Sequence, residues 1–225
     1  MIMEKKKGGH RLEERAVYAA MFAMLAVAGL MAVKGTAVFV NNSHVERQRC
    51  IVIDAGHGGD DPGKVGINGA LEKDINLQIA QKVRKYLEYE GIEVVMTRTD
   101  GGGLYDSEAE NKKVQDMKRR IVVIEEAAPV MTVSIHQNSY PEEYVKGAQV
   151  FYYKDSAESE AAAEIMQESL RERLDTENKR EAKANASYYL LKKTSSPVII
   201  VECGFLSNSD EAAKLSEDVY QERVA

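Results

Sequence analysis

From residue 50 onward, short apolar runs alternate with amphipathic helical patterns, and this alternation limits the fold more than any other feature. The run CIVIDAG (residues 50–56) is rich in Ile and Val and ends at a glycine, which is typical of a strand buried on both faces. Residues 72–90 then place an apolar side chain at every fourth position, which predicts a helix that stops at Gly91. Such an order favours an α/β fold with a mainly parallel sheet.

The rest of the chain continues the alternation and shows no internal repeat or second domain. Four more strands are predicted in IEVVMTRT, VMTVSIHQ, AQVFYY and PVIIVECGFL. Helices are predicted over residues 112–127 and about 156–174, and a single closing helix is predicted in residues 207–222, with a Ser or Asn cap. Residues 50–225 are therefore expected to form one domain.

The charge distribution argues against a nucleic-acid partner. Residues 1–49 hold eight Lys or Arg and four Asp or Glu, which leaves 22 and 32 for the remainder, a net charge near -10. A surface of that sign repels a polyphosphate backbone, and no basic stripe is present. The 225-residue chain, with 44% apolar residues, is long enough for one packed domain and an appendage.

The appendage is an uncharged apolar segment, residues 16–33. As a helix it would reach about 27 Å, close to the roughly 30 Å hydrocarbon core of a bilayer. More basic residues precede it than follow it, which predicts a cytoplasmic segment (residues 1–15), a transmembrane anchor (16–33), a tether (34–49) and an exported domain (50–225) on the outer face of the cytoplasmic membrane. The alternative is a cleaved signal peptide with a small-residue site at residues 26–28, which would give a secreted protein.

The two cysteines, Cys50 and Cys203, both stand in apolar strand sequences. In an exported protein they could pair. A free cysteine also serves as a small buried apolar side chain, and the sequence favours this second interpretation.

Two histidines and a glutamate indicate a metal site. His57 and His136 each lie at or just past the carboxyl end of an apolar strand, where open α/β sheets present their ligand groups. Glu72 opens the following helix and could return to the same edge. Two imidazoles and a carboxylate suit zinc and leave a fourth position for water, so we expect one Zn²⁺ in the domain. The alternatives are structural histidines and an ordinary glutamate favoured by the helix dipole.

Glu202 is a charged residue within the apolar strand sequence IIVECGF. An unpaired carboxylate in such a place is costly, so a buried salt bridge is one interpretation. We favour a catalytic one, in which Glu202 accepts a proton from a water activated by the metal and returns it to the departing amine.

The glycine-rich segment AGHGGDDPG (residues 55–63) leaves a second kind of site open. Glycine-rich turns after a strand can cradle phosphate, which would make this a metal-free phosphate-binding domain. The P-loop lysine is absent, however, and Asp54, Asp60 and Asp61 would oppose an anion. Glycine on either side of His57 instead favours a backbone that turns tightly around that residue.

These segments together resemble a known family. IVIDAGHGG, GALEKDINLQIA, VVMTRTD, VSIHQNS, GAQVFYY and PVIIVECGFLSN occur in the order and at the approximate spacing of the zinc-dependent N-acetylmuramoyl-L-alanine amidases of bacterial cell walls. The resemblance covers residues 50 to about 215. It implies a twisted, mostly parallel sheet flanked by helices, zinc bound by His57, Glu72 and His136, Glu202 as the catalytic carboxylate, and peptidoglycan as the substrate.

Within that family, GLYD, KKVQDMKRR, NSYPEEYVKGAQVFYY and YYLLKKT resemble the sporulation and germination-specific members. This resemblance implies removal of stem peptides for muramic δ-lactam formation in spore cortex, a functional partnership with a muramic acid deacetylase, and a location at the cytoplasmic or forespore membrane. Gln137 and Glu125 depart from the family pattern, which puts local loop contacts in doubt.

Asn138 and Arg98 are candidates for the substrate groove or for the layer behind the ligands, and a structural role is equally open. Another zinc peptidase or deacetylase acting on the cell wall would use similar ligands. A non-catalytic, anchored wall-binding protein is the alternative from a different class, and it predicts no dependence on zinc.

Overall fold

The computed structural model describes residues 50–225. The predicted cytoplasmic segment, membrane anchor and tether lie outside the described residues. Within residues 50–225, none of the helices combines the length and the apolar character needed to cross a bilayer.

The centre of the domain is a six-stranded sheet in the order β2-β1-β3-β6-β4-β5. Neighbouring strands are parallel, except that β4 runs antiparallel to β6. This confirms the twisted, mostly parallel α/β class as a mixed sheet flanked by helices. The strands are β1 (Cys50–Ala55), β2 (Glu93–Met96), β3 (Met131–Asn138), β4 (Gln149–Tyr153), β5 (Lys183–Asn185) and β6 (Val198–Phe205).

Helices cover both faces of the sheet, because the strands bury apolar side chains on both sides. In β1, Ile53 belongs to the larger apolar cluster and its neighbour Val52 belongs to the cluster on the opposite face. All eight residues of β6 are buried. The helices of residues 50–225 are α1 (Glu72–Tyr89), α2 (Lys112–Ala127), α3 (Ala157–Leu174), α4 (Tyr189–Lys193), α5 (Ser209–Leu215) and α6 (Asp218–Val224).

The prediction of a single closing helix is wrong, because the chain bends between α5 and α6. The Ser216 hydroxyl donates to the Ala212 carbonyl at 2.8 Å, and the Asn68 amide donates to the same carbonyl at 2.9 Å. Side chains thus take the acceptor that the next helical turn would need. Glu217 is extended, with ψ 130°, and α6 begins after it.

Two short elements were not predicted. The strand β5 has three residues and no alternation of apolar and polar side chains, so no periodic signal marks it. The helix α4 has five residues, and Leu190 and Leu191 bury themselves in the smaller cluster. Both cysteines are buried and free, as the favoured interpretation expected.

The topology brings the predicted site residues to one edge of the sheet. The strands β1, β3 and β6 are neighbours, and His136 of β3 lies directly opposite Glu202 of β6. His57 follows the end of β1 by two residues, and Glu72 is the first residue of α1.

Candidate active site

His57, Glu72 and His136 form a cluster whose ligand atoms all lie within 4.8 Å of one another. Oε1 of Glu72 lies 3.2 Å from Nε2 of His57 and 3.0 Å from Nδ1 of His136. Ligands of a tetrahedral ion with bonds of roughly 2.0–2.2 Å stand about 3.3 Å apart. The cluster therefore fits a small divalent cation, and the identity of that ion stays a prediction.

The loop after β1 holds His57 with a specific ring orientation. Nδ1 of His57 lies 2.9 Å from Oδ2 of Asp61, so Nε2 is the nitrogen that faces Glu72. A carboxylate behind an imidazole orients the ring of a metal ligand and increases its basicity. Sequence reasoning missed this role for Asp61, although the spacing of four residues within HGGDD is a signal that could have shown it.

The backbone around His57 is strained and is held by two buried arginines. His57 has φ 62°, a left-handed conformation that costs a non-glycine residue free energy. Arg120 donates to the carbonyls of Ala55 at 2.8 Å and His57 at 2.5 Å. Arg98 donates to those of Ala55 at 2.8 Å and Gly56 at 3.1 Å. Three successive carbonyls are thus fixed by guanidinium groups.

Glu72 is 4% exposed, and backbone groups fix both of its oxygens. The N–H of Lys64 donates to Oε2 at 2.7 Å, and the N–H of Gln137 donates to Oε1 at 3.1 Å. Arg98 also donates to the carbonyl of Lys73 at 2.7 Å. It thereby links the start of α1 to the loop of His57, so that two of the clustered side chains are positioned together.

The electrostatics of the cluster suit a cation. Burial raises the pKa of Glu72, but hydrogen bonds and charge from His136 and His57 lower it more, so that the pKa lies far below its usual range. Burial lowers the pKa of His57, but Glu72 and Asp61 together raise it above its ordinary value. Two ionised carboxylates therefore surround the imidazoles, and a bound cation would replace the proton that they otherwise attract.

Glu202 lies beside the cluster without a partner. It is 9% exposed, and its Oε2 has no hydrogen-bond partner in the described part of the chain. None of the ion pairs in residues 50–225 includes it, which argues against the buried salt bridge. Burial, opposed by His136 and reinforced by Glu72, raises the pKa of Glu202 to about 7. Such a carboxyl group can both accept and donate a proton near neutral pH.

A cavity of about 570 Å³ lies beside His57, His136 and Glu202. Its other walls come from the loop before α2, the first turns of α2, and α4. Sequence reasoning missed these wall residues, and the pair of lysines that opens α2 is the signal that could have shown them. The wall residues include Tyr105, Lys112, Lys113, Asp116, Met117, Tyr188 and Tyr189.

Asn138 and Arg98 do not line this cavity. Arg98 is 4% exposed and donates to the backbone just before His57. It therefore lies in the layer behind the clustered side chains. The Asn138 side chain accepts a hydrogen bond from the N–H of Ser139 at 2.8 Å, a local contact at the end of β3.

The two departures from the family pattern both have local partners. Gln137 donates from Nε2 to Oδ1 of Asn76 at 3.1 Å, beneath the metal-site cluster. Glu125 accepts hydrogen bonds from the N–H of Ser195 at 2.7 Å and from its hydroxyl at 2.6 Å. Neither residue disturbs the cluster.

Comparisons with known proteins of similar sequence point to a single activity. The family described as N-acetylmuramoyl-L-alanine amidase matches residues 51–225. The germination-specific N-acetylmuramoyl-L-alanine amidase of Bacillus subtilis (strain 168) is 38% identical over 180 residues, which cover 79% of this chain and 75% of that protein.

Two solved structures extend the comparison. The CwlD amidase from Clostridioides difficile, solved in complex with the GerS lipoprotein, has a TM-score of 0.76 and 39% identity, covering 78% of this chain and 92% of that chain. The catalytic domain of CwlV, an N-acetylmuramoyl-L-alanine amidase from Bacillus (Paenibacillus) polymyxa var. colistinus, has a TM-score of 0.64 and 29% identity, covering 78% and 91%.

Proposed function

The chain belongs to the N-acetylmuramoyl-L-alanine amidase family, and we propose that it uses Zn²⁺ to hydrolyse the amide between the lactyl group of N-acetylmuramic acid and L-alanine in peptidoglycan. The observation that carries this proposal is the contact of one buried carboxylate, Glu72, with both imidazoles, beside the unpartnered carboxyl group of Glu202. This arrangement offers three ligands and one proton acceptor.

His57, Glu72 and His136 would hold the ion, which supplies Lewis-acid polarisation of the scissile carbonyl and lowers the pKa of a water molecule. Oε2 of Glu202 accepts a proton from the water that attacks the carbonyl carbon. The same oxygen then donates this proton to the alanine nitrogen as the carbon–nitrogen bond breaks. A pKa close to the working pH allows one carboxyl group to serve in both directions.

The N–H groups of the glycine-rich loop around His57 already donate to acceptors within the protein, which disfavours the phosphate-binding alternative. Those of Gly58 and Gly59 donate to the carbonyls of Asp61 and Gly101, at 3.1 and 2.8 Å, and that of Gly63 donates to the Asp61 carboxylate at 3.0 Å. A phosphate cradle needs such groups directed at the ligand.

We further propose that the enzyme strips stem peptides for muramic δ-lactam formation in spore cortex. The likeness to a germination-specific amidase and to CwlD supports this role. A muramic acid deacetylase would act on the same strand afterwards. The GerS lipoprotein in the CwlD complex suggests a partner of a different kind, a lipoprotein that binds the amidase itself.

The proposed location is the outer face of the cytoplasmic or forespore membrane, because peptidoglycan lies on that side. Residues 16–33 would anchor the chain there, or direct its secretion if they are cleaved. Mass spectrometry of the membrane fraction and of the released fraction distinguishes the two: an intact N-terminus in the membrane supports the anchor, and released protein cleaved after residue 28 supports secretion.

The central experiment uses the full-length chain in detergent, with bound metal measured by elemental analysis. We expect about one zinc per chain, and mass spectrometry of digested muropeptides should show stem peptides with a free L-alanine amine. Glu202→Gln should keep the zinc and lose turnover, whereas His136→Ala should lose both. The matched control is Glu125→Gln, since the Glu125 side chain accepts its hydrogen bonds from Ser195, outside the site.

The same digest separates the rivals. Release of acetate would indicate a deacetylase, and cleavage within the stem peptide would indicate a peptidase. Retention on peptidoglycan without turnover by the zinc-loaded chain would contradict the amidase proposal and support a wall-binding protein.

A further inference from the structure

The cavity beside Glu202 has a basic rim where α2 begins. Lys112 and Lys113 are the first two residues of α2, and the first turn of this helix contains no acidic residue. The amino end of a helix carries partial positive charge, so lysines there reduce stability and acidic residues increase it. Lysines that oppose the helix dipole need compensating negative charge. Asp60 and Asp61 supply part of it, and an anionic group of a ligand in the cavity would supply more.

The two lysines differ in how firmly they are held. Nζ of Lys112 lies 2.6 Å from the Asp60 carboxylate and 5.4 Å from the centre of the Tyr105 ring. Nζ of Lys113 lies 3.7 Å from Oδ2 of Asp61, too far for a hydrogen bond, and its side chain is 73% exposed. Lys113 is therefore the cation that is free to turn toward a ligand.

Lys113 is also close to the reacting groups. Oδ2 of Asp61, its nearest carboxylate oxygen, lies 2.9 Å from Nδ1 of His57. Lys113 and Glu202 line the same cavity, and Oε2 of Glu202 is buried there without a partner. A volume of about 570 Å³ holds much more than one amide bond. A ligand that places its amide at Glu202 would thus extend along the rim at Lys113.

The glycan and the stem peptide of the substrate differ in charge, and this difference decides which of them fits the basic rim. The lactyl carboxyl group is tied up in the scissile amide, so the N-acetylated glycan beside it is uncharged before hydrolysis. The carboxylates of the substrate are all on the stem peptide. A glycan strand also continues in both directions, whereas the peptide is a side branch that can enter a walled cavity between α2 and α4.

On the basis of the proposed amidase function, we infer that Lys113 is a specificity-determining residue that binds a stem-peptide carboxylate, so that the peptide and not the glycan occupies the cavity between α2 and α4. Within the stem peptide, the free carboxylate of the second residue is the nearest to the scissile amide. Tyr188 and Tyr189 of the opposite wall would pack against the peptide backbone.

The test compares two substrates that differ only in this α-carboxylate: N-acetylmuramoyl-L-alanyl-D-glutamate and its α-amide, N-acetylmuramoyl-L-alanyl-D-isoglutamine. With the zinc-loaded full-length chain, Lys113→Gln should lower kcat/KM for the acid by roughly 3- to 10-fold, as expected for one partly exposed charged contact. The value for the amide should change by less than about 2-fold. Lys113→Glu should favour the amide over the acid.

The matched control is Lys118→Gln, which removes the same charge from an exposed position of α2 that does not line the cavity. It should change neither substrate. Equal losses on both substrates, or unchanged kinetics in Lys113→Gln, would overturn the inference while the amidase function stands.

A binding measurement separates this inference from the proposed function. Calorimetry with the dipeptides L-alanyl-D-glutamate and L-alanyl-D-isoglutamine should show tighter binding of the acid, and Lys113→Gln should remove the difference. If this holds but neither muropeptide is hydrolysed, the proposed activity fails and the carboxylate site stands. Equal binding of both dipeptides to the unsubstituted chain would refute the site.

Discussion

The position of the His136 ring depends on the absence of a side chain at residue 56. A Cβ atom added to Gly56 would overlap the Cε1 and Nε2 atoms of that ring. Because Gly56 does not have a positive φ, the requirement is for space and not for an unusual backbone conformation. The glycine before His57 therefore serves the other histidine of the cluster.

We expect Gly56→Ala to fold but to bind zinc roughly 10- to 100-fold more weakly, since the ring of His136 must move to make room. Competition with a chromogenic chelator measures this affinity. Gly101→Ala is the control, because a Cβ atom there meets nothing within 4 Å. Unchanged zinc affinity in Gly56→Ala would show that His136 is not a ligand.

The pKa of Glu202 sets the direction of the pH dependence. In the proposed mechanism Glu202 accepts a proton as the carboxylate, so activity should rise with pH as Glu202 loses its proton. The pKa is about 7 without an ion, and a bound cation lowers it. The midpoint of the acid limb of kcat/KM should therefore fall between about 4.3, the ordinary glutamate value, and about 7.

A pH profile of kcat/KM from pH 4 to 9 checks this expectation, with zinc occupancy measured at each pH. Glu202→Gln should reduce turnover by roughly 10²- to 10⁴-fold at pH values above the acid limb, the usual contribution of a general acid–base group. This deficit should shrink as the pH falls, because protonation of Glu202 removes the same group from the unsubstituted chain. An acid limb that survives in Glu202→Gln would assign the titration to another group.

Residues at strand ends could be predicted from the sequence, and contacts between distant segments could not. His136 and Glu202 stand in apolar strands and His57 follows one, and these strands are visible in the amino-acid pattern. Arg120 binds the His57 carbonyl from 63 positions away, and nothing local to either residue indicates this contact. The same holds for Lys113, whose place at the cavity follows from the docking of α2 on the sheet.

The buried carboxylate of Asp54 connects β1, β3 and the end of β2 to the helix α2. Asp54 of β1 is 1% exposed and accepts from Arg120 of α2 at 2.6 Å, Ser134 of β3 at 2.5 Å and Thr97, just after β2, at 2.7 Å. Burial raises the pKa of Asp54, but Arg120 and the two hydroxyl groups lower it to about 2. These contacts hold α2, and with it the loop of His57, against the sheet.

This linkage predicts how stability depends on pH. The folded-state pKa of Asp54 lies below the unfolded value of 3.8, so its contribution is complete above about pH 4 and is lost as the pH falls toward 2. A shift of this size corresponds to about 2 kcal/mol. Urea unfolding at a series of pH values should show Asp54→Asn to be destabilised by about 3 kcal/mol at pH 7, with a smaller deficit at pH 2.5.

The control is Asp106→Asn, which removes an exposed carboxylate before α2 that pairs with Arg119 of α2. It should leave the acid limb of the stability curve in place. A deficit in Asp54→Asn that stays constant from pH 7 to pH 2.5 would contradict the assigned titration.

The elements that could be predicted are those with a long periodic pattern. The pattern predicts a helix over residues 72–90, and α1 spans Glu72–Tyr89. The two agree because the apolar stripe by itself determines which face of the helix is buried. The break between α5 and α6 depends on Asn68, which is 144 positions from Ala212 in the sequence. A contact of that range has no signal in the local pattern.

Across the described domain, the cluster of His57, Glu72 and His136 joins segments that are far apart in the chain. His57 follows β1, Glu72 opens α1, and His136 lies in β3, so the cluster forms only when the sheet and α1 are assembled. The two apolar clusters lie on opposite faces of the same sheet, and β1 and β6 contribute to both. Unfolding of either face should therefore disperse the ligands, and metal binding should stabilise the domain as a unit.

Zinc should consequently raise the melting temperature of the protein. A ligand at a free concentration 100 times its Kd adds about 2.7 kcal/mol to the free energy of unfolding. For a domain of this size, that corresponds to an increase in Tm of about 5–10 °C. Magnesium, which prefers oxygen ligands, should produce little shift.

Calorimetric scans of three variants decide whether the shift comes from the proposed site. Glu202→Gln leaves all three ligands in place and should keep the full increase, whereas His136→Ala should lose it. Gly56→Ala should show a reduced increase, since its ligands are present but displaced. If His136→Ala still gains stability from zinc, the ion binds elsewhere in the chain, and the contact of Glu72 with the two imidazoles would then be a structural ion-pair network without a catalytic metal.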